Sequence, residues 1–257
     1  MKTCTYFISD THLGSGTKER ARERELLLCR WLESIEPTAK RLYMLGDMLD
    51  FWWEYRTVVP RGFVRFFGAL ARLADSGTEI VWLRGNHDIW LKDYLATEIP
   101  CRVVTGSEQV EIDGTWFFLE HGDGVGYKPR AYRMLRAFFH NKVAQKMYSW
   151  IHPRWAIAIA GAWSRKSRKS HGKHEVRVES CSKAMDALKD FAMEYHAQEP
   201  KIRYFLFGHL HYPMEIDLKN EIKMIVLGGW FSHPTYAVFD GKALTVKKVE
   251  PESESKG

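Results

Sequence analysis

Glu79-Ile80-Val81-Trp82-Leu83-Arg84-Gly85-Asn86-His87-Asp88 is a short apolar run that breaks into a turn carrying a carboxamide, an imidazole and a carboxylate. The first five residues read as a buried strand. The same pattern occurs four more times. Thr5 to Ile8 runs into Ser9-Asp10-Thr11-His12, and Arg41 to Leu45 runs into Gly46-Asp47. Thr115 to Leu119 ends at Glu120-His121-Gly122-Asp123, and Arg203 to Phe207 ends at Gly208-His209-Leu210-His211. Amphipathic segments lie between them. Lys18 to Ile35 gathers Leu27, Leu28, Trp31, Leu32 and Ile35 on one side and stops before Pro37. Gly62 to Ala74 and Val178 to His196 read as further helices, Met224 to Leu227 and Thr235 to Phe239 as closing strands. Strands alternating with helices predict an α/β fold.

Ligands of open α/β sheets bind outside the carboxyl ends of the strands. Parallel strands would therefore bring all five turns to a common edge, and Gly14, Gly46, Gly85, Gly122 and Gly208 flank them. Imidazoles mixed with carboxylates and one carboxamide suit Mn, Fe or Zn better than Ca or Mg, which favour all-oxygen shells. No thiolate belongs to the set, which argues against a structural zinc or an iron–sulfur site. Two cations about 3.5–4 Å apart could share a carboxylate and activate water for attack on phosphorus. Each turn alone has an ordinary reading. Asp47 could cap a helix, Asn86 could be a turn residue, and a lone Asp-x-His is usually surface. Five such turns after five strand-like runs outweigh coincidence.

Length and composition set bounds on the rest. The 257 residues are 45% hydrophobic, enough for one large core. No apolar run reaches the length of a membrane span, and Met1 to Ile8 turns polar too soon for a signal peptide. Cys4, Cys29, Cys101 and Cys181 are scattered, as expected for reduced thiols in the cytoplasm. The net charge of +6 is strongly localised. From Lys128 to Lys173 there are twelve cations and no acid, leaving 26 basic against 32 acidic residues elsewhere.

The combination Asp10-Thr11-His12, Gly46-Asp47, Gly85-Asn86-His87-Asp88, His121-Gly122-Asp123 and Gly208-His209-Leu210-His211 resembles the calcineurin-like metallophosphoesterases. The resemblance implies a β-sandwich flanked by helices and two divalent metals, usually Mn. It puts Asp10, His12 and His211 on one metal and Asn86, His121 and His209 on the other, with Asp47 bridging. Asn86, His87 and Asp88 would be catalytic, His87 acting beside the leaving group with Asp88 steadying it; an imidazole suits that role near neutral pH. Within the superfamily the chain is similar to the UDP-2,3-diacylglucosamine diphosphatases of lipid A synthesis. Ser9-Asp10-Thr11-His12-Leu13, Gly46-Asp47-Met48-Leu49-Asp50-Phe51-Trp52, the insertion after Asp123 and Val226-Leu227-Gly228-Gly229-Trp230 carry that likeness. It implies hydrolysis of the pyrophosphate bond of UDP-2,3-diacylglucosamine to UMP and 2,3-diacylglucosamine 1-phosphate. His87 stands where the best-known members carry Arg.

The expected division is a metallophosphoesterase core at 1–126 and 175–250, a helical insertion at 127–174 and a disordered tail at 251–257. Two helices are predicted in the insertion, Arg130 to Ile151 and Trp155 to Trp163. Their aromatic and aliphatic residues beside the cations suit a lid over an acylated diphosphate, and a peripheral contact with the anionic cytoplasmic face of the inner membrane. The resemblance places substrate contacts at His87, Tyr132, Ser167, Lys173 and His209. Two other readings compete with the lid: the Trp/Ile face could be ordinary core, or the cations could serve nucleic acid. No nucleic-acid-binding module accompanies them, so a nuclease of the same superfamily ranks below the lipid enzyme. A non-catalytic scaffold is opposed by the filled ligand positions.

Overall fold

The computed structural model describes residues 2–126, 130–159, 174–219 and 221–250, with backbone alone for 131, 132 and 174–181. β1 (Cys4–Ile8), β2 (Ala39–Met44), β3 (Glu79–Leu83) and β4 (Cys101–Val104) run parallel as neighbours. β10 (Thr235–Phe239) and β11 (Leu244–Lys248) extend this sheet antiparallel beyond β1. A second sheet has the order β5 (Glu108–Ile112), β6 (Thr115–Leu119), β7 (Ile202–Phe207), β9 (Lys223–Val226), β8 (Met214–Asp217). Its central strands β6, β7 and β9 are parallel, and its edges are antiparallel. The expected β-sandwich flanked by helices is the observed architecture.

Alternation along the strands sorts the core into layers. Phe7, Tyr43 and Val81 of the first sheet meet Phe117, Tyr204, Leu206 and Ile225 of the second. Phe7 stacks on Phe117 with ring centroids 5.6 Å apart. The opposite face of the first sheet carries Ile8, Leu42, Met44 and Trp82, which pack on α1 (Lys18–Ile35) and α2 (Val64–Asp75). The outer face of the second sheet carries Phe118, Phe205 and Met224, covered by Met185, Leu188 and Ala192 of a long helix, α7 (His174–Gln198). Strands buried on both faces explain why the sequence showed continuous apolar runs rather than alternation.

Several elements depart from the sequence expectation. α2 starts at Val64, since Gly62 and Phe63 both have positive φ (118° and 62°) and cannot continue a helix. β5 and β6 form a hairpin through Asp113-Gly114, again with positive φ at both residues, a turn that the sequence reading overlooked. α3 (Tyr94–Glu98) and the short strands β4, β8 and β11 were also missed. The helix expected from Arg130 to Ile151 is two helices, α4 (Arg130–His140) and α5 (Lys142–Ser149). The break is Asn141, whose side chain caps α5 by accepting from the amides of Val143 (2.8 Å) and Ala144 (3.1 Å). A further helical segment, α6, is seen at 153–159. The rest of the second predicted insertion helix and the tail at 251–257 lie outside the described residues. Among the described residues no helix is long and apolar enough to cross a membrane.

Candidate metal centre

The loops after β1, β2, β3, β6 and β7 meet at one end of the sandwich, zipped together by backbone. His12 N donates to Asp47 O (2.9 Å), Asp10 N to Gly46 O (3.1 Å) and Gly208 N to His121 O (2.8 Å). Asp10, His12, Asp47, His209 and His211 all have left-handed backbones, with φ between 41° and 67°. Conformations of this kind cost on the order of 1–3 kcal/mol each and persist where the surroundings over-determine them. The loops also approach closely. A Cβ at Gly85 would fall onto Asp47 Oδ1, and one at Gly208 onto Ser9 Oγ and Asp10 Oδ2. Only a missing side chain lets the strands deliver their turns to one point.

Two sets of donor atoms result. Ligand atoms of Asp10, His12, Asp47 and His211 all lie within 4.8 Å of one another. His211 Nε2 is 3.1 Å from Asp10 Oδ1 and 3.0 Å from His12 Nε2. Beside them, Asn86 Oδ1 lies 2.9 Å from His209 Nδ1 and 3.2 Å from His121 Nε2. Asp47 Oδ2 belongs to both sets, 3.6 Å from His12 Nε2 and 3.4 Å from His121 Nε2. The chemistry of these atoms fits a pair of cations. Asp10 Oδ1 is buried without a hydrogen-bond partner, although His211 Nε2 lies 3.1 Å away. His121 Nδ1 donates to Leu45 O at 2.8 Å, which fixes the tautomer and leaves Nε2 free to ligate.

The electrostatics agree. Burial alone would raise Asp10 and Asp47, yet His211 and His12 around the one, and His121 and His87 around the other, hold both well below the carboxylate range. His12 moves the other way. Against its own burial, Asp10, Asp50 and Asp47 lift it to about 10, and Asp47 lifts His121 likewise. Protons and divalent cations therefore compete for the same atoms.

All seven residues expected to bind metal come together. Asp88 does something other than steady the His87 ring. It is fully buried and accepts from the amides of Gly85 (2.7 Å), Met48 (3.0 Å) and Asp47 (3.3 Å) and from the Trp82 indole (3.2 Å). Burial, and then Asp47, push it up to about 6. Its carboxylate thus ties the turn after β2 to the turn after β3. The residue that holds the His87 ring is Asp50, whose carbonyl accepts from His87 Nδ1 at 2.8 Å. The Asp50 carboxylate also lies 3.6 Å from His12 Nδ1. Sequence reasoning missed Asp50 as a site residue, although its place three residues after Asp47 was visible. Phe231 was missed too; its ring packs against His211 and His12, at 5.0 and 5.9 Å. The side chain of Tyr132, and all of Ser167 and Lys173, lie outside the described residues.

A profile of calcineurin-like phosphoesterases matches residues 5–213. The chain belongs to the calcineurin-like phosphoesterase family. Among relatives of this phosphoesterase, a UDP-2,3-diacylglucosamine hydrolase of Porphyromonas gingivalis is 39% identical over 97% of this chain and 99% of its own length. A protein of the same name from Nitrosococcus oceani is 28% identical over 88% of this chain and 87% of its own. One from Neisseria meningitidis serogroup A is 28% identical over 90% and 91%. The family and the donor set together make the phosphoesterase a metal-dependent hydrolase.

Proposed function

We propose that this phosphoesterase cleaves the pyrophosphate bond of UDP-2,3-diacylglucosamine, giving UMP and 2,3-diacylglucosamine 1-phosphate, with Mn2+ as its metal. The observation that carries the reading is the 39% identity to a hydrolase of that name across nearly the whole of both chains. In this reading Asp10, His12 and His211 would hold one cation and Asn86, His121 and His209 the other, with the Asp47 carboxylate facing both donor sets. Bound divalent cations supply Lewis acidity toward the phosphoryl oxygens and an activated water at neutral pH. His87 does the remaining proton work. Its backbone amide is fixed on Asp47 Oδ1 at 2.8 Å and its Nδ1 on the Asp50 carbonyl, so Nε2 is the nitrogen left to protonate a leaving oxygen. His209 and His87 are also the proposed substrate contacts of the core.

The insertion at 127–174 serves as the acyl-binding and membrane-facing part, set on a core formed by 1–126 and 175–250. Two features support this. Met134, Phe138, Val143, Met147, Trp150 and Trp155 are all more than half exposed, with Trp150 at 75%. They lie on or at the ends of the helices that carry Arg133, Lys142, Lys146 and Arg154, and no acid intervenes. An exposed apolar face ringed by cations fits the surface of an anionic membrane. Tyr132, Ser167 and Lys173 complete the proposed substrate contacts.

The test is product analysis by mass spectrometry with UDP-2,3-diacylglucosamine, run beside single-stranded DNA and bis-p-nitrophenyl phosphate. UMP and the acylated sugar phosphate are the expected products. Cleavage of DNA in preference to the lipid would make the chain a nuclease of the family, and inertness toward all three would make it a scaffold.

A further inference from the structure

The insertion and the His87 turn meet through one side chain. Trp90 follows the Gly85-Asn86-His87-Asp88 turn, held to it by the bond from Leu91 N to Asp88 O (3.2 Å). Its indole donates to the carbonyl of Phe139, at the end of α4, at 3.1 Å. The Trp90 ring meets the Phe139 ring edge-on at 5.4 Å and lies parallel to Tyr148 of α5 at 6.0 Å. On its core side it packs against Trp53 (5.2 Å) and Phe51 (5.9 Å). Phe51 is the neighbour of Asp50, whose carbonyl holds His87. Tyr148 closes the group by packing on Trp53 at 4.6 Å, and Tyr55 ties the same loop to Ile151 O at 3.3 Å. Trp90 is therefore wedged between α4 and α5 of the insertion and both supports of His87: its own turn and the loop bearing Asp50.

We propose that Trp90 is a positioning residue that makes proton donation by His87 depend on docking of α4 and α5. The proposal rests on the role given to His87 above. The physical basis is rigidity. Edge-on aromatic pairs hold their partners in place beyond what their buried area gives, and a displacement of about 1 Å at a catalytic group can cost on the order of a hundredfold in rate. A group that only stabilised the fold would not distinguish one leaving group from another. A group that places the proton donor does.

The experiment compares hydrolysis of bis-p-nitrophenyl phosphate, whose leaving group needs little protonation, with diphenyl phosphate, whose leaving group needs it. In metal-replete enzyme, His87→Ala should slow diphenyl phosphate about tenfold or more beyond its effect on the nitrophenyl ester. Trp90→Ala should bias the enzyme the same way by roughly threefold to tenfold, and should add no further bias in the double variant with His87→Ala. Tyr148→Ala, a change made on the insertion side of the Trp90 contact, should reproduce the bias of Trp90→Ala. Equal losses on both esters for Trp90→Ala and Tyr148→Ala overturn the proposal alone. So does full additivity with His87→Ala. A His87→Ala variant without leaving-group bias removes the donor role itself, and the proposal with it.

Discussion

Asp47 concentrates the demands of the site in one residue. Its Oδ2 faces both donor sets, its Oδ1 holds the His87 amide, and its backbone sits at φ 54°. Asp47→Ala removes the proposed shared ligand and one of the two anchors of His87. The expected result is loss of turnover together with a fall in tightly bound metal, read by elemental analysis after dialysis; near-normal activity would sink the assignment. The cysteines make a contrasting case at the same scale. Burial, with nearby carboxylates adding to it, raises both Cys29 and Cys101 to about 11. A thiol with a raised pKa becomes a thiolate only as pH climbs toward that value, so at pH 8 about one molecule in a thousand is reactive. Iodoacetamide at pH 8 should leave Cys29 and Cys101 unmodified in the folded protein and label both in urea. Rapid labelling of either in the native state contradicts the raised thiol pKa.

Among elements, the insertion helices have the least of their own to hold them. α5 has eight residues and no fully buried side chain, a length at which an isolated helix is marginal in water. Its stability comes from the Asn141 cap and from the aromatic contacts of Tyr148. Asn141→Ala should therefore cost about 0.5–2 kcal/mol locally. Hydrogen exchange at the amides of Val143 and Ala144 should speed up while β2 and β7 stay protected. Unchanged exchange there would mean the cap is redundant. α1 shows how legible an element is when the signals agree. Its apolar stripe and Pro37 beyond its end marked it in the sequence, and the structure places it at Lys18–Ile35 as expected, with Thr17 capping its start. The division at Asn141 was less visible because the apolar spacing runs straight through it, so periodicity argued for continuity and the cap argued against.

At the scale of the whole molecule, two surfaces set the behaviour. One is the interface between the sheets. Phe117 is fully buried, with Tyr204, Phe239 and Phe7 at centroid distances of 5.0, 5.1 and 5.6 Å. Phe117→Ala should destabilise the fold by about 3–5 kcal/mol, measured by urea unfolding of metal-loaded protein; a loss under about 1 kcal/mol would mean that the sheets do not rely on this layer. The other is the cationic, aromatic face of the insertion. If it rests on anionic lipid, Lys142→Gln with Lys146→Gln should weaken vesicle binding by about 1 kcal/mol each, roughly thirtyfold together, and most strongly at low salt. Equal binding to neutral and anionic vesicles would remove electrostatics from the account.

The residue types at the strand ends determined much of this. Asp10, His12, Asp47, Asn86, His121, His209 and His211 were legible because metal donors are rare after apolar strands, and their recurrence needs no coordinates to notice. Strand and helix order was legible for the same local reason. What the sequence could not contain was the sharing of parts. Which oxygen of Asp47 faces both donor sets, that Asp88 grips backbone while Asp50 holds His87, and that Trp90 bridges the insertion to the His87 turn all depend on distances between loops far apart in the chain. Those distances follow from strand order and from which faces pack, and packing is a collective property: no single segment carries it until all the layers are closed.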